Sequence, residues 1–338
     1  NEIYKVVVDN TAPSSTIATP NGDTWHNESI TIEGNTTDEN GVTEVLLSSA
    51  LFDVDTDTCG EYSEITTLNS DPAQSDFTWS YDWTPSAEES YCIKAQGTDV
   101  AGNPETTAVV QNIIYDITIP EIGVTIDPED ADGSGNWYIT RPEVTLSPSD
   151  NFEVDYVEYR WGKTGSWTTY SSPLKSPSEG TNTLYYRAFD MAGNVSSDEG
   201  VKTLQWDQTD LTQGPFNVSA DPNPTSGSTS SISWDKATDN IGIAHYKVTW
   251  DLRDGDDKHS KNVSSDTIET TIRDLQEGVY KVTVTAFDHA GHSKSASIDL
   301  IINRTAPAAP TLTLESTGEG TATLSWNEVE DATDYIIL

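Results

Sequence analysis

The side chains able to do chemistry in this chain are mostly acids, and they recur in three phrases. Asp9, Asp116 and Asp207 open the first: Asp9-Asn10-Thr11-Ala12-Pro13, Asp116-Ile117-Thr118-Ile119-Pro120 and Asp207-Gln208-Thr209, with Asn303-Arg304-Thr305-Ala306-Pro307 as a further copy. Asp38, Asp150 and Asp239 open the second: Asp38-Glu39-Asn40-Gly41-Val42, Asp150-Asn151-Phe152-Glu153-Val154 and Asp239-Asn240-Ile241-Gly242-Ile243. The third is Asp99-Val100-Ala101-Gly102-Asn103, Asp190-Met191-Ala192-Gly193-Asn194 and Asp288-His289-Ala290-Gly291-His292. Paired carboxylates can cleave glycosides, but a catalytic pair is needed once, whereas these acids repeat with a period. Carboxylates and amide oxygens gathered without basic partners suit a hard cation such as Ca²⁺. Asp and Asn also cap turns by accepting hydrogen bonds from nearby amides. Both readings apply to Asp9, Asp38, Asp99, Asn103, Asp116, Asp150, Asp190, Asn194, Asp207, Asp239, Asn240 and Asp288.

The five histidines (His26, His245, His259, His289 and His292) fall in no helix-borne metal motif and no nucleophile elbow. His289 and His292 share one turn and could hold a metal; a solvated turn is the competing reading. With no other competent set outside the periodic turns, the chain reads as non-enzymatic. Phe77, Trp79, Tyr81 and Trp83 alternate and so share one strand face, as a core and its edge would. Trp234 and Trp326 read as core. Trp161 and Trp167 flank a Gly-Lys-Thr-Gly turn, where exposed rings could stack on a carbohydrate.

The elements that must position these residues are strands. Alternating segments lead into the third phrase, as in Tyr280, Val282, Val284 and Ala286. The Gly in that phrase supplies the positive φ of a tight turn, so the phrase joins the last two strands of a repeat. The second phrase falls between the second and third strands. An apolar strand precedes each boundary copy (Tyr4–Val8, Ile113–Tyr115, Leu204–Trp206 and Leu300–Ile302), and the boundaries are 107, 91 and 96 residues apart. Across 338 residues this predicts an all-β chain of tandem immunoglobulin-like sandwiches. Residues 1–10 are the last strand of an upstream domain. Domains follow at 11–115, 116–206 and 207–303, and 304–338 begin a further one. Residues 1–8 already read as a strand and Tyr335-Ile336-Ile337-Leu338 stops inside one, so both ends read as limits of a fragment. In a sandwich of this type the start of the first strand, the second-to-third loop and the last hairpin turn lie at one end. The three acidic phrases are therefore expected to converge at each domain entrance.

There are 56 Asp plus Glu against 17 Lys plus Arg, a net charge of −39. A field of that sign repels phosphate backbones and anionic lipid, which disfavours nucleic acid and membrane surfaces as partners, and it attracts cations. No apolar run approaches the ~18 residues of a membrane span. Cys59 and Cys92, the only cysteines, fall in one domain. An even pair suggests one disulfide and an oxidising compartment, with two free buried thiols as the alternative. A disulfide would pin a long insertion, Leu51–Asp76, to the sandwich.

Tyr185-Tyr186-Arg187-Ala188-Phe189-Asp190-Met191-Ala192-Gly193-Asn194 resembles the closing hairpin of bacterial Ig-like repeats, and Val157-Glu158-Tyr159-Arg160-Trp161 with Trp167 strengthens the likeness. Ser231-Ile232-Ser233-Trp234 and Thr323-Leu324-Ser325-Trp326, each followed by a Tyr-led strand (Tyr246, Tyr335), resemble fibronectin type III modules. Such repeats occur in surface adhesins, S-layer proteins and secreted multidomain hydrolases. The resemblance implies an extracellular, cell-surface location and a structural stalk, lattice or filament segment, with other copies or domains of the same protein as partners. An adhesin or carbohydrate-binding accessory region, with glycans or host-surface ligands as partners, is the alternative it implies.

Overall fold

The computed structural model describes residues 8–106, 109–196, 199–330, 332 and 334–337. Most of the expected upstream strand Tyr4–Val8 lies outside the described residues, as does Leu338. Among the described residues the regular elements are all strands, so the fold class is the all-β one that the alternation predicts. The chain forms two compact units: residues 1–129, 143–177 and 182–204, and residues 130–142, 178–181 and 205–338.

The first unit opens with β1 (Ser14–Thr19), β2 (Thr24–His26), β3 (Ile30–Asp53), β4 (Thr58–Cys59), β5 (Ser63–Trp83), β6 (Glu89–Asp99) and β7 (Val109–Tyr115). The loop expected at Asp38–Val42 is instead a register shift inside the 24-residue strand β3. Gly41 makes the kink possible, with φ 114°. Before the kink β3 pairs with β1 and the end of β5; after it, β3 pairs with the start of β5 and with β6. Ile30, Ile32 and Trp79 from one half share a core with Val45, Leu47, Ile93 and Ile113 from the other, so the bent ribbon closes on itself as two layers. Each such side chain contributes about 1.5–3 kcal/mol when fully buried. Trp79 packs across Gly34 and donates its indole N–H to Thr36 Oγ1 at 2.9 Å. Most of the expected insertion Leu51–Asp76 belongs to this ribbon rather than to a loop: from Ser63 it is β5. Cys59 in β4 is disulfide-bonded to Cys92 in β6, with both thiols consumed.

β8 (Glu121–Asp127), β9 (Glu143–Ser149), β10 (Val154–Trp161), β11 (Thr168–Thr169), β12 (Leu174–Lys175), β13 (Gly180–Asp190) and β14 (Gly200–Trp206) follow. They form a three-stranded sheet, β12-β9-β8, and a four-stranded sheet, β11-β10-β13-β14. Trp161 and Trp167 are half-buried rather than exposed. The guanidiniums of Arg160 and Arg187 lie 4.5 and 4.3 Å from the Trp167 ring centre, and Glu199 and Glu158 hold them there. Both guanidiniums are within cation–π range of the Trp167 ring.

The second unit contains β15 (Phe216–Asp221), β16 (Ser230–Asp235), β17 (Ile243–Leu252), β18 (Lys258–Ser264), β19 (Glu269–Ile272), β20 (Gly278–Asp288) and β21 (Ser293–Ile302). The sheets β15-β16-β19 and β18-β17-β20-β21 enclose Ile232, Trp234, Tyr246, Val248, Val282, Val284 and Leu300. At the start of β20 the buried Tyr280 hydroxyl accepts the Gln276 N–H at 2.8 Å and donates to Asp257 at 2.6 Å. This return to the backbone four residues upstream is the tyrosine corner of Ig-type sandwiches. β22 (Leu312–Gly318) and β23 (Thr321–Trp326) form a two-stranded sheet. Trp326 in that hairpin is 39% exposed; Trp234, between two layers, is 3% exposed and lies in the core as expected.

Candidate metal centre

The boundary phrase builds the same turn four times. Thr11, Thr118 and Thr209 donate their backbone N–H to Oδ1 of Asp9, Asp116 and Asp207 at 3.0, 3.1 and 3.1 Å, and Thr305 donates to Asn303 Oδ1 at 3.0 Å. One oxygen of each boundary side chain is therefore a cap. In the second phrase Asp38 Oδ1 accepts Asn40 and Gly41 N–H, Asp150 Oδ2 accepts Phe152 N–H, and Asp239 Oδ2 accepts Ile241 and Gly242 N–H. In the third phrase Asp99 and Asp190 accept both the N–H and the side-chain amide of Asn103 and Asn194. Asp288 accepts Gly291 and His292 N–H and faces His292 Nδ1 at 2.8 Å. Gly102, Gly193 and Gly291 turn these hairpins with φ of 86°, 90° and 104°.

Folding brings the three phrases together. Oxygens of Asp9, Asp38 and Asp99 lie within 4.8 Å of one another, as do those of Asp116, Asp150 and Asp190. Asp207, Asp288 and a ring nitrogen of His292 form a third group of the same size. Capping uses up only part of the carboxylate oxygens. Asp116 Oδ2, Asp150 Oδ1, Asp207 Oδ2 and Asp239 Oδ1 are buried with no hydrogen-bond partner among the described residues, and Asp116 and Asp207 are 0% exposed. In the first group Asp9 Oδ2 takes the Asn40 side-chain amide at 2.9 Å, so its second oxygen is satisfied.

The electrostatics follow from this packing. Burial, above all, pushes the Asp116 carboxyl up to about 6; the Thr118 N–H pulls it down, and the charges of Asp150, Asp190 and Glu88 raise it further. Asp207 is likewise pushed up to about 6, first by burial and then by Asp239, Asp288 and Glu179 against the Thr209 N–H. At Asp99 burial is the largest single influence and raises the pKa, but the hydrogen bonds from Asn103, Ala101 and Gly102 together outweigh it and hold the carboxyl below its ordinary value.

Three of the expected donors act differently from the sequence reading. Asn103 and Asn194 were expected to supply amide oxygens; they turn their NH₂ groups to Asp99 and Asp190 and to the backbone carbonyls of Asp9 and Asp116. An amide nitrogen has no free electron pair for a cation, so these residues close the clusters as donors. Asn240 is exposed and gives its amide hydrogen to Glu179 at 2.7 Å. Sequence reasoning missed Glu179 and its equivalents. Glu88 accepts Ile117 N–H and the Thr118 hydroxyl; Glu179 accepts Gln208 N–H and the Thr209 hydroxyl; Glu277 accepts the Thr305 hydroxyl. The signal was present, because each Glu lies eleven residues before the third-phrase Asp (Asp99, Asp190, Asp288). Aromatic pairs involve residues near the cluster acids in sequence. Trp25, beside the His26 carbonyl that accepts Asp116 N–H, meets Phe152 edge-on at 6.1 Å, and Trp137 stacks on His289 at 5.4 Å.

The fold these features define is an all-β one of fibronectin III-like and Ig-like sandwich type. Residues 213–301 match the fibronectin type III domain model. Tenascin-N of Mus musculus is 35% identical over 131 residues, which is 38% of this chain; the match spans only 8% of tenascin-N. A tetra-tandem repeat from the extending region of a large adhesion protein is similar at 17% identity and a TM-score of 0.36, covering 87% of this chain and 74% of its own. A segment of titin is similar at 13% identity and a TM-score of 0.37, covering 86% of this chain and 98% of its own.

Proposed function

We propose that the chain is a non-catalytic structural segment (a stalk, lattice or filament part) of an extracellular cell-surface protein, akin to bacterial Ig-like repeats, and that Ca²⁺ ties its successive sandwiches together. On this reading the domain boundaries fall at 10/11, 115/116 and 206/207, beside the acidic residues Asp9, Asp116 and Asp207, and at 303/304, where Asn303 takes the place of the acid. The single observation that carries this reading is the bare, fully buried Asp116 Oδ2 facing Asp150 and Asp190. A folded chain rarely leaves a buried carboxylate oxygen unpaired unless something else binds it. Ca²⁺ takes six to eight oxygens from carboxylates, carbonyls and water. Asp116, Asp150 and Asp190 would be ligands from the boundary, the loop and the hairpin, so one ion would fasten the boundary strand to the sandwich that follows. Asp9, Asp38 and Asp99 are the corresponding set in the first cluster, with Asn103, Asn194 and Asn240 as hydrogen-bond supports. The Cys59–Cys92 bond fits an oxidising compartment. Other copies or domains of the same surface protein are the natural partners of such a segment.

Calorimetric titration of the chelator-treated chain with Ca²⁺ tests the reading. Binding of at least one ion with a rise in melting temperature supports it. A flat titration and identical melting curves with and without Ca²⁺ leave the acids as turn caps alone.

A further inference from the structure

The clusters share a frame but not a ligand chemistry. Where the first two hairpins have Asn103 and Asn194, the third has His292. The two asparagines spend their amide hydrogens on neighbouring oxygens and bring no electron pair to the centre. His292 makes the same bond through Nδ1, 2.8 Å from Asp288 Oδ2, but unlike an amide a neutral imidazole keeps an electron pair for a metal, on Nε2 while Nδ1 carries the proton or on Nδ1 once a cation displaces it. That ring and the carboxylates of Asp207 and Asp288 each place one ligand atom within 4.8 Å of the others. A second observation points to an occupant. Asp207 is 0% exposed and its Oδ2 has no hydrogen-bond partner among the described residues; Asp239 Oδ1, on the second-to-third loop and outside that group of three, is buried and bare as well. The turn that presents His292 is also held firmly: Trp137, 8% exposed, stacks on His289, and Ser134 N–H donates to the Ala290 carbonyl at 2.7 Å.

We propose that this third cluster binds a borderline first-row divalent cation of the zinc class, with Asp207, Asp288 and His292 as ligands and Asp239 as the fourth. The proposal rests on reading the acidic clusters as cation sites. Ca²⁺ is a hard ion served by oxygens alone, which suits Asp116, Asp150 and Asp190. Zinc takes imidazole nitrogen together with carboxylate oxygen, usually with four ligands, and three carboxylates with one imidazole make up that number and type. Replacing one asparagine by histidine in a shared frame thus changes the preferred ion without changing the fold.

The test titrates the chelator-treated chain with Zn²⁺, with Co²⁺ as a coloured stand-in, and with Ca²⁺. Two variants accompany it: H292N, which installs the asparagine of the other two hairpins, and H289Q as a control. The expected result is one Zn²⁺ per chain, visible Co²⁺ bands, a loss of Zn²⁺ affinity of about 100-fold in H292N, and no change in H289Q. Circular dichroism confirms that H292N folds. Zn²⁺ binding that H292N leaves within about twofold, or that H289Q abolishes instead, overturns the proposal. If the chain binds Ca²⁺ in an Asp116-dependent way but binds no Zn²⁺, this inference falls and the calcium reading stands. If neither ion binds, both fall.

Discussion

Asp116→Asn separates a capping carboxylate from a cation ligand. The substitution preserves shape, and Oδ1 can still accept the Thr118 N–H at 3.1 Å. What changes is the bare oxygen, which becomes an NH₂ group facing the carboxylates of Asp150 and Asp190. Without a cation, the wild-type carboxylate is held in a site that pushes its pKa from 3.8 up to about 6, mainly through burial. At about 1.4 kcal/mol per unit this amounts to at most ~3 kcal/mol of strain at neutral pH. Asp116 has no exposed surface, but relaxation and water penetration around a buried charge reduce such a figure, here to roughly 1–1.5 kcal/mol. The chelated variant should therefore be more stable than the chelated wild type, by roughly 5 °C in the melting of the second sandwich. It should also lose the calcium increment, because the amide has replaced a ligand. Scanning calorimetry of both proteins, each with Ca²⁺ and with chelator, gives the four curves needed. A variant that melts below wild type in chelator would refute the reasoning, since the second oxygen would then be making a favourable bond. So would a variant that keeps the full calcium response.

Asp116 and Asp207 also set a pH dependence. Both carboxyls have folded-state pKa values of about 6, above their unfolded value, so the folded chain holds more protons between about pH 4 and 6. Their contribution to stability is greatest below pH 4 and is lost as the pH rises through 6; melting curves in chelator should fall across that window, and the calcium increment should grow across it. Replacing Cys59 and Cys92 by Ala should destabilise the first sandwich by about 3.5–4 kcal/mol, given their separation of 33 residues, measured by denaturant unfolding with and without reductant. Tyr280→Phe should cost about 1–1.5 kcal/mol by removing the hydroxyl between Gln276 and Asp257, and an unchanged urea midpoint would show that the corner is idle. Gly34→Ala should cost at least 1–3 kcal/mol, because the new Cβ would lie 2.2 Å from the Thr16 carbonyl oxygen and 2.3 Å from the Trp79 ring; a melting temperature within 1 °C of wild type would contradict that packing.

The amino-acid sequence alone determines much of this protein, because many of its instructions are local. Alternation such as Tyr280, Val282, Val284 and Ala286 needs only the two-residue period of a strand to become a buried face. The glycines of the third phrase need only their own positive φ to mark hairpins. The meeting of the acidic phrases follows from the order of strands in a sandwich. The tertiary structure alone decides how each group is used. Gly41 could mark a loop or a bulge, and the choice lies in whether β5 continues alongside β3 past the kink. Trp167 could be an open platform or a covered one, and Arg187, twenty residues away, decides it. Each Asp was legible as a cap or a ligand; which of its two oxygens serves as the cap, and whether the other is left bare, depends on groups from distant parts of the chain. Asn194 presents nitrogen rather than oxygen because a carbonyl 78 residues earlier, that of Asp116, accepts its hydrogen. Hydrogen bonds and burial are fixed by atoms that only the folded chain brings within 3 Å, and for that reason local pattern could name the acids but not assign their oxygens.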